Sequence, residues 1–308
     1  MNPISRRTIL KSGLGTAALL AHAHLGYAQE TRDGLRFLAI GDWGERTPGQ
    51  KPVATALAEA SRRLDPEFIV STGDNIYENG VKSVDDPLWV DVFEKIYDDP
   101  NLMRPWYAVL GNHDHRGNVD AQIAYSGVSG RWTMPSRYYK RSKTLGDGRL
   151  LDFFFLDTTE LTKDDSELVE FLKGRDTDDQ LKWLKKSLSE SRAHWKIVIG
   201  HHPVFSGGPH EHYTVFEKRL RPLLERYGVE AYINGHDHNL QHIKVGNVHY
   251  LTSGGGAHAD QPRPTPHTLF QAGTTGFLAV SLVPDEMSFE FIGSDGQTLY
   301  RSELPVRA

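Results

Sequence analysis

The sequence predicts an α/β fold in which buried strands alternate with helices and hand polar residues to the loops at one edge. Three observations support it. Short apolar runs recur along the chain, five of them end in glycine beside Asp, Asn or His, and amphipathic helical patterns lie between them. An apolar run too short for a helix reads as a strand covered on both faces.

In chain order, residues 37–40 lead into Gly41-Asp42 and residues 68–71 into Gly73-Asp74. Residues 106–110 lead into Gly111-Asn112-His113-Asp114, residues 197–199 into Gly200-His201, and residues 231–233 into Gly235-His236. Helices are expected over 52–64, 89–97, 178–191 and 214–227. The third carries Leu181, Leu184 and Leu188 at helical spacing, with Lys182 and Lys186 turned away from that stripe. Residues 276–304 read as strands with hairpin turns at Pro284-Asp285 and Asp295-Gly296, and are expected to close a second sheet. No internal repeat or linker divides the chain, so residues 29–308 are expected to form one domain.

Composition narrows the chemistry. Of 308 residues, 38% are hydrophobic and 24% charged, which suffices for a sizeable core. A formal charge of −5 gives no electrostatic reason to expect nucleic acid or an anionic membrane as partner. Cysteine is absent, which excludes disulfides, thiol nucleophiles and cysteine-ligated zinc. The 15 histidines leave imidazole and oxygen as the available metal ligands.

The N-terminus reads as a targeting segment. Arg6 and Arg7 precede a mildly apolar run over 14–25, and Ala23 and Ala28 offer cleavage points. This resembles a bacterial twin-arginine export signal over 1–28, removed on maturation, with Ile9 where phenylalanine is commoner. The expected partner is the twin-arginine export machinery, and the expected location is periplasmic or secreted. The alternatives are a Sec signal or a short membrane anchor. Because His22 and His24 interrupt an already short run, no stable membrane anchor is expected.

The motifs Gly41-Asp42-Trp43-Gly44, Gly73-Asp74-Asn75-Ile76-Tyr77, Gly111-Asn112-His113-Asp114, Val198-Ile199-Gly200-His201 and Gly235-His236-Asp237-His238 follow one another in this order. With Gly200-His201-His202-Pro203 and Leu220-Arg221-Pro222-Leu223-Leu224, they resemble the calcineurin-like metallophosphoesterases and, within them, the purple acid phosphatases of the short single-domain type. The resemblance covers nearly all of the chain beyond the targeting segment. It implies a four-layer α/β/β/α sandwich with two mixed β-sheets flanked by helices, and makes 29–308 a single catalytic domain.

The resemblance also implies a binuclear metal centre. Asp42, Tyr77, His238 and a bridging Asp74 would hold Fe(III), and Asn112, His201, His236 and the same bridge a divalent iron, zinc or manganese. Hard phenolate and carboxylate oxygens suit a trivalent ion, while imidazole and amide suit a divalent one. Tyr77, three residues after Asp74, marks the purple group. The implied activity is that of a secreted acid phosphatase, which hydrolyses small phosphate monoesters with a metal-bound hydroxide. A phosphodiesterase on the same metals is the alternative. A non-catalytic binding protein and a redox protein are more distant ones.

By the same resemblance His113 would contact phosphate and His210 would protonate the leaving group, with His202 and His212 as nearby competitors. His202 stands where animal members often carry tyrosine. Asp114 is expected to orient a ligand histidine or cap its loop, Asp237 to support local geometry rather than bind metal, and Gly254-Gly255-Gly256 to approach the pocket closely. His115, His242, His249, His258 and His267 are assigned surface or structural roles. The acidic stretch Asp164, Asp165, Glu167 and Glu170 is expected to be a solvated face, with a lid over 159–177 as the alternative.

Overall fold

The computed structural model describes residues 34–162, 175–210 and 213–305. The export signal expected over 1–28 lies outside the described residues, as do the acidic stretch from Asp164 to Glu170, most of the lid segment, and His212. The strands are β1 (Leu35–Ile40), β2 (Phe68–Ser71), β3 (Trp106–Ala108), β4 (Trp132–Thr133), β5 (Tyr139–Thr144), β6 (Leu150–Phe155) and β7 (Trp195–Ile199). They continue as β8 (Ala231–Asn234), β9 (Leu240–Val245), β10 (Val248–Ser253), β11 (Thr268–Ala272), β12 (Gly276–Val283), β13 (Glu286–Gly293) and β14 (Thr298–Pro305). The α-helices are α1 (Gln50–Leu64), α2 (Val119–Ala124), α3 (Thr158–Thr162), α4 (Arg175–Glu190) and α5 (Arg221–Arg226).

Two seven-stranded sheets result, ordered β14-β13-β12-β1-β2-β3-β4 and β11-β9-β10-β8-β7-β6-β5. Both are mixed: β1 is parallel to β2 and antiparallel to β12, and β7 is parallel to β6 and β8 while β5 runs antiparallel to β6. Alternation along the strands builds the layers. Phe153 and Ile197 face the core between the sheets, whereas Phe154 and Val198 face outward beneath Leu181, Leu184 and Leu188 of α4. Across the inner face the ring of Phe153 meets Phe37 and Phe68 of the opposite sheet edge-on, at centroid distances of 5.6 and 5.5 Å. Helix α1 covers the outer face of the first sheet with Val53, Leu57 and Ala60. The expected four-layer sandwich is the observed architecture.

Two expectations need correction. Strands β12–β14 do not close the second sheet; β12 pairs antiparallel with β1, from Leu35 opposite Leu282 to Ala39 opposite Leu278, and so extends the first. Without it, β1 would present an unpaired edge. The segments 89–97 and 214–227 are not plain α-helices. Residues Trp89–Glu94 and Phe216–Leu220 are wider π-helical turns; in the first, Lys95 N–H donates to Val90 O, five residues back, at 3.0 Å. In the second, Pro222 lacks an N–H and starts a fresh register at the first turn of α5.

Candidate metal centre

The loops after β1, β2, β3, β7 and β8 bring Asp42, Asp74, Asn112, His201 and His236 to the carboxyl ends of the strands. Three of these side chains sit on strained backbone. Asp42, Asp74 and His236 have φ of 58°, 48° and 71°, in the left-handed region that Asp and His tolerate better than most residues. The motif glycines leave room for the carboxylates. A Cβ on Gly111 would lie 2.1 Å from Oδ1 of Asp74. The triple glycine does approach closely, since a Cβ on Gly254 would meet Asp237 O at 2.3 Å and Asp42 Oδ2 at 2.9 Å.

All seven expected ligand side chains converge in two overlapping groups. Tyr77 Oη lies 3.1 Å from Asp42 Oδ1, 3.0 Å from Asp74 Oδ2 and 3.2 Å from His238 Nε2. His238 Nε2 is 3.5 Å from Asp42 Oδ1. In the second group, His201 Nε2 is 3.1 Å from Asn112 Oδ1, 3.2 Å from His236 Nδ1 and 3.4 Å from Asp74 Oδ2. Asp74 Oδ2 belongs to both groups, as a bridging ligand must.

The donor set fits a pair of cations. His201 Nδ1 lies 3.0 Å from the Thr72 carbonyl, so the ring proton sits there and the Nε2 lone pair faces the Asn112 and Asp74 oxygens. Oxygen and nitrogen lone pairs crowded together in this way call for a positive charge between them, whether a proton or a metal ion. Metal bonds of about 2.1 Å would separate neighbouring donors by roughly 3.0–3.4 Å, which matches the spacings above.

Electrostatics agree. Burial, together with Asp42 and Asp74, pushes the Tyr77 phenol well above its ordinary value, so ionising it takes a strong cation. Burial opposes a charge on His201, yet Asp74 and then Asp42 outweigh it and lift the imidazole to about 9. Two buried carboxylates thus hold the centre ready for positive charge.

Above the centre opens a cleft of about 350 Å³ lined by Asp74, Asn112, His113, Arg116, His202 and His210, among others. The His113 N–H donates to Asp74 Oδ1 at 2.8 Å, and its ring packs 4.2 Å from that of Tyr77. His210 Nδ1 lies 2.8 Å from Asp237 Oδ1, and its ring stands 4.4 Å from the ring of His236. His202 competes poorly as an acid. It is buried against His236 and His201, and burial first, then those neighbours, push its pKa well below the ordinary value. Asp114 touches no ligand histidine; it accepts from the N–H groups of Asn75, Ile76 and Gly111 and from Gln122 Nε2, tying two ligand loops together.

Three residues escaped the sequence reading. Arg116 adds a cation to the cleft wall, two positions beyond the Asn112 motif. His258, expected to be structural or superficial, reaches His238, and Glu45 reaches His258. Glu45 directly follows the Asp42 motif and His258 follows the close-packed glycines, which was the available signal. His115 pairs with Asp157, His242 with His249, and His267 is exposed, as structural or surface histidines would be.

Comparison with known proteins agrees with this geometry. The sequence profile of the calcineurin-like phosphoesterases matches residues 35–240. Human tartrate-resistant acid phosphatase type 5 is 37% identical over 95% of this chain and 98% of its own length. Purple acid phosphatase 3 of Arabidopsis thaliana is 38% identical over 88% of this chain and 72% of its own. Among solved structures, GAP50, the anchor in the inner membrane complex of Plasmodium, superposes with a TM-score of 0.81 at 28% identity, covering 89% of this chain and 90% of that one.

Proposed function

From the premise that the chain belongs to the calcineurin-like phosphoesterase family, in its purple acid phosphatase group, we propose that it is an exported acid phosphatase for small monoesters with an Fe(III)–M(II) centre. Membership makes it a metal-dependent phosphoric-ester hydrolase. The proposal adds the metals, the ester class and the location. Asp42, Tyr77, His238 and Asp74 are the residues that would hold Fe(III), and Asn112, His201, His236 and Asp74 a divalent iron, zinc or manganese. Export through the twin-arginine machinery, to the periplasm or beyond, rests on Arg6-Arg7 and the apolar run behind them.

A metal pair in such a site supplies charge neutralisation for the phosphoryl oxygens and a more acidic water as nucleophile. The rest of the work falls to side chains. His113 and Arg116 line the cleft where the anionic ester must sit, and either can donate hydrogen bonds to it. His210 is set up as the acid. Its Nδ1–H donates to Asp237, so in the imidazolium form the proton to be given away sits on Nε2. As the P–O ester bond breaks, the departing oxygen takes that proton and leaves a neutral ring still anchored through Nδ1.

The observation that carries the reading is the sharing of Asp74 Oδ2 between the Tyr77 and His201 groups beneath a cleft lined by His113 and His210. Rates on an aryl phosphate and a bis-aryl phosphate test it. The monoester should be hydrolysed faster, and faster in mild acid than at neutrality. A preference for the diester would replace the monoesterase with a phosphodiesterase on the same centre.

A further inference from the structure

His238 uses its two ring nitrogens in opposite directions. Nε2 faces the metal ligands, 3.2 Å from Tyr77 Oη. On the far side Nδ1 lies 2.5 Å from Nε2 of His258, whose own Nδ1 lies 2.5 Å from Oε2 of Glu45. The two rings are perpendicular, with centroids 4.0 Å apart. Glu45 is largely buried, whereas His258 is partly open to solvent.

Proton inventory leaves one arrangement. An imidazole that gives its Nε2 lone pair to a metal keeps its only proton on Nδ1. That proton needs an acceptor, and the atom in reach is His258 Nε2. His258 must then carry its proton on Nδ1, where Glu45 accepts it. Each link has one donor and one acceptor, and the chain ends on a carboxylate. The other ligand histidines are held differently. His201 Nδ1 meets the Thr72 carbonyl, and buried His236 Nε2 has no hydrogen-bond partner among the described residues.

Resting on the metal assignment above, we propose that Glu45 and His258 are positioning residues, a relay that fixes the His238 tautomer and passes carboxylate charge to the Fe(III) half of the centre. Such outer partners orient a ligand ring and raise its basicity, and their loss typically costs about 10–100-fold in metal affinity. A stronger donor favours the more highly charged ion, so the relay selects ferric over ferrous iron at this position. Asp260 Oδ2, 3.9 Å from His258 Nε2 and 4.0 Å from His238 Nδ1, adds negative charge beside the chain. A third metal ion between the rings fits less well. Two nitrogens on one tetrahedral ion would stand about 3.3 Å apart, and the two here are much closer.

The test uses wild type, His258→Ala, His258→Gln and Glu45→Gln. Iron affinity is read by competition with a chelator, and the ferric/ferrous potential by redox titration of the visible band. Wild type should take up two metal equivalents. His258→Ala should lose iron about 10–100-fold more readily. His258→Gln, whose amide can accept from His238 and donate to Glu45, should recover most of the loss, and both His258→Ala and Glu45→Gln should shift the potential towards ferrous iron. Unchanged affinity and potential in all variants would overturn the relay while leaving the binuclear centre intact. A third wild-type equivalent that disappears in His258→Ala would overturn it in favour of a metal site. A wild type that binds no metal pair would instead sink the functional reading beneath it.

Discussion

Asp237 Oδ1 stands 2.8 Å from His210 Nδ1 and 3.3 Å from the His210 backbone N–H, so one buried carboxylate fixes both the ring and the main chain of the residue above the centre. Burial alone would raise the Asp237 pKa. Hydrogen bonds from His210 and Ser206 outweigh it and hold the carboxyl below its usual range. With a depressed folded value, the charge and the stability it confers are present throughout mild acid and are lost only as pH falls through that value.

The pairing predicts a split between substrates. His210→Asn should slow hydrolysis of alkyl phosphates by about 10²–10⁴-fold. Aryl phosphates, whose leaving groups need little protonation, should suffer much less. Asp237→Asn should show the same ordering with a loss of roughly 10–100-fold, as a support for the acid rather than the acid itself. The ratio of kcat on the two ester types, with metal content unchanged, is the measurement. Equal losses on both would remove His210 from the proton-donor role.

Asp114 predicts a stability effect. It is fully buried and accepts from Asn75, Ile76, Gly111 and Gln122, which strands those donors if it is removed. Asp114→Ala should destabilise the fold by about 3 kcal/mol or more, read from denaturant unfolding with metals present. A loss within 0.5 kcal/mol, the range ordinary for surface changes, would show that the loops do not depend on it.

His242 predicts how acid stability behaves. It is buried in the second sheet between His249 and Tyr300, and burial first, then His249 and Lys244, push its pKa down to about 3. The unfolded chain takes up this proton near 6.5 and the folded one near 3, so the contribution is complete above 6.5 and drains away as pH falls between the two. The slope is at most about 1.4 kcal/mol per pH unit. His242→Gln should flatten the decline of Tm between pH 6.5 and 4 by the equivalent of one proton. An unchanged slope would contradict the buried neutral histidine.

The legible parts of this molecule were local. Asp42, Asp74, Asn112, His201 and His236 each follow an apolar strand within a few residues, so the order of the motifs carried both the parallel strands and the site they build. What stayed hidden depends on distant pairing. The C-terminal hairpins were assigned to the wrong sheet because their place is set by the open edge of β1, some 240 residues earlier, and not by their own alternation. Strand β6 passed unread because its apolar run Leu150–Phe155 ends without glycine and a ligand. The link from Glu45 to His258 spans 213 residues, and only the folded chain brings the two together. Pro222 divides the helix expected over 214–227 into a π-helical turn and α5, and the apolar spacing of that segment showed neither the break nor the wider turn.

The most direct test of the account is metal analysis combined with a visible spectrum of the purified protein and its Tyr77→Phe variant. Two metal ions per chain, at least one of them iron, and a violet phenolate-to-iron band lost in the variant are the predicted result. A phosphatase that carries no iron, or whose violet band survives the loss of the Tyr77 hydroxyl, would contradict it.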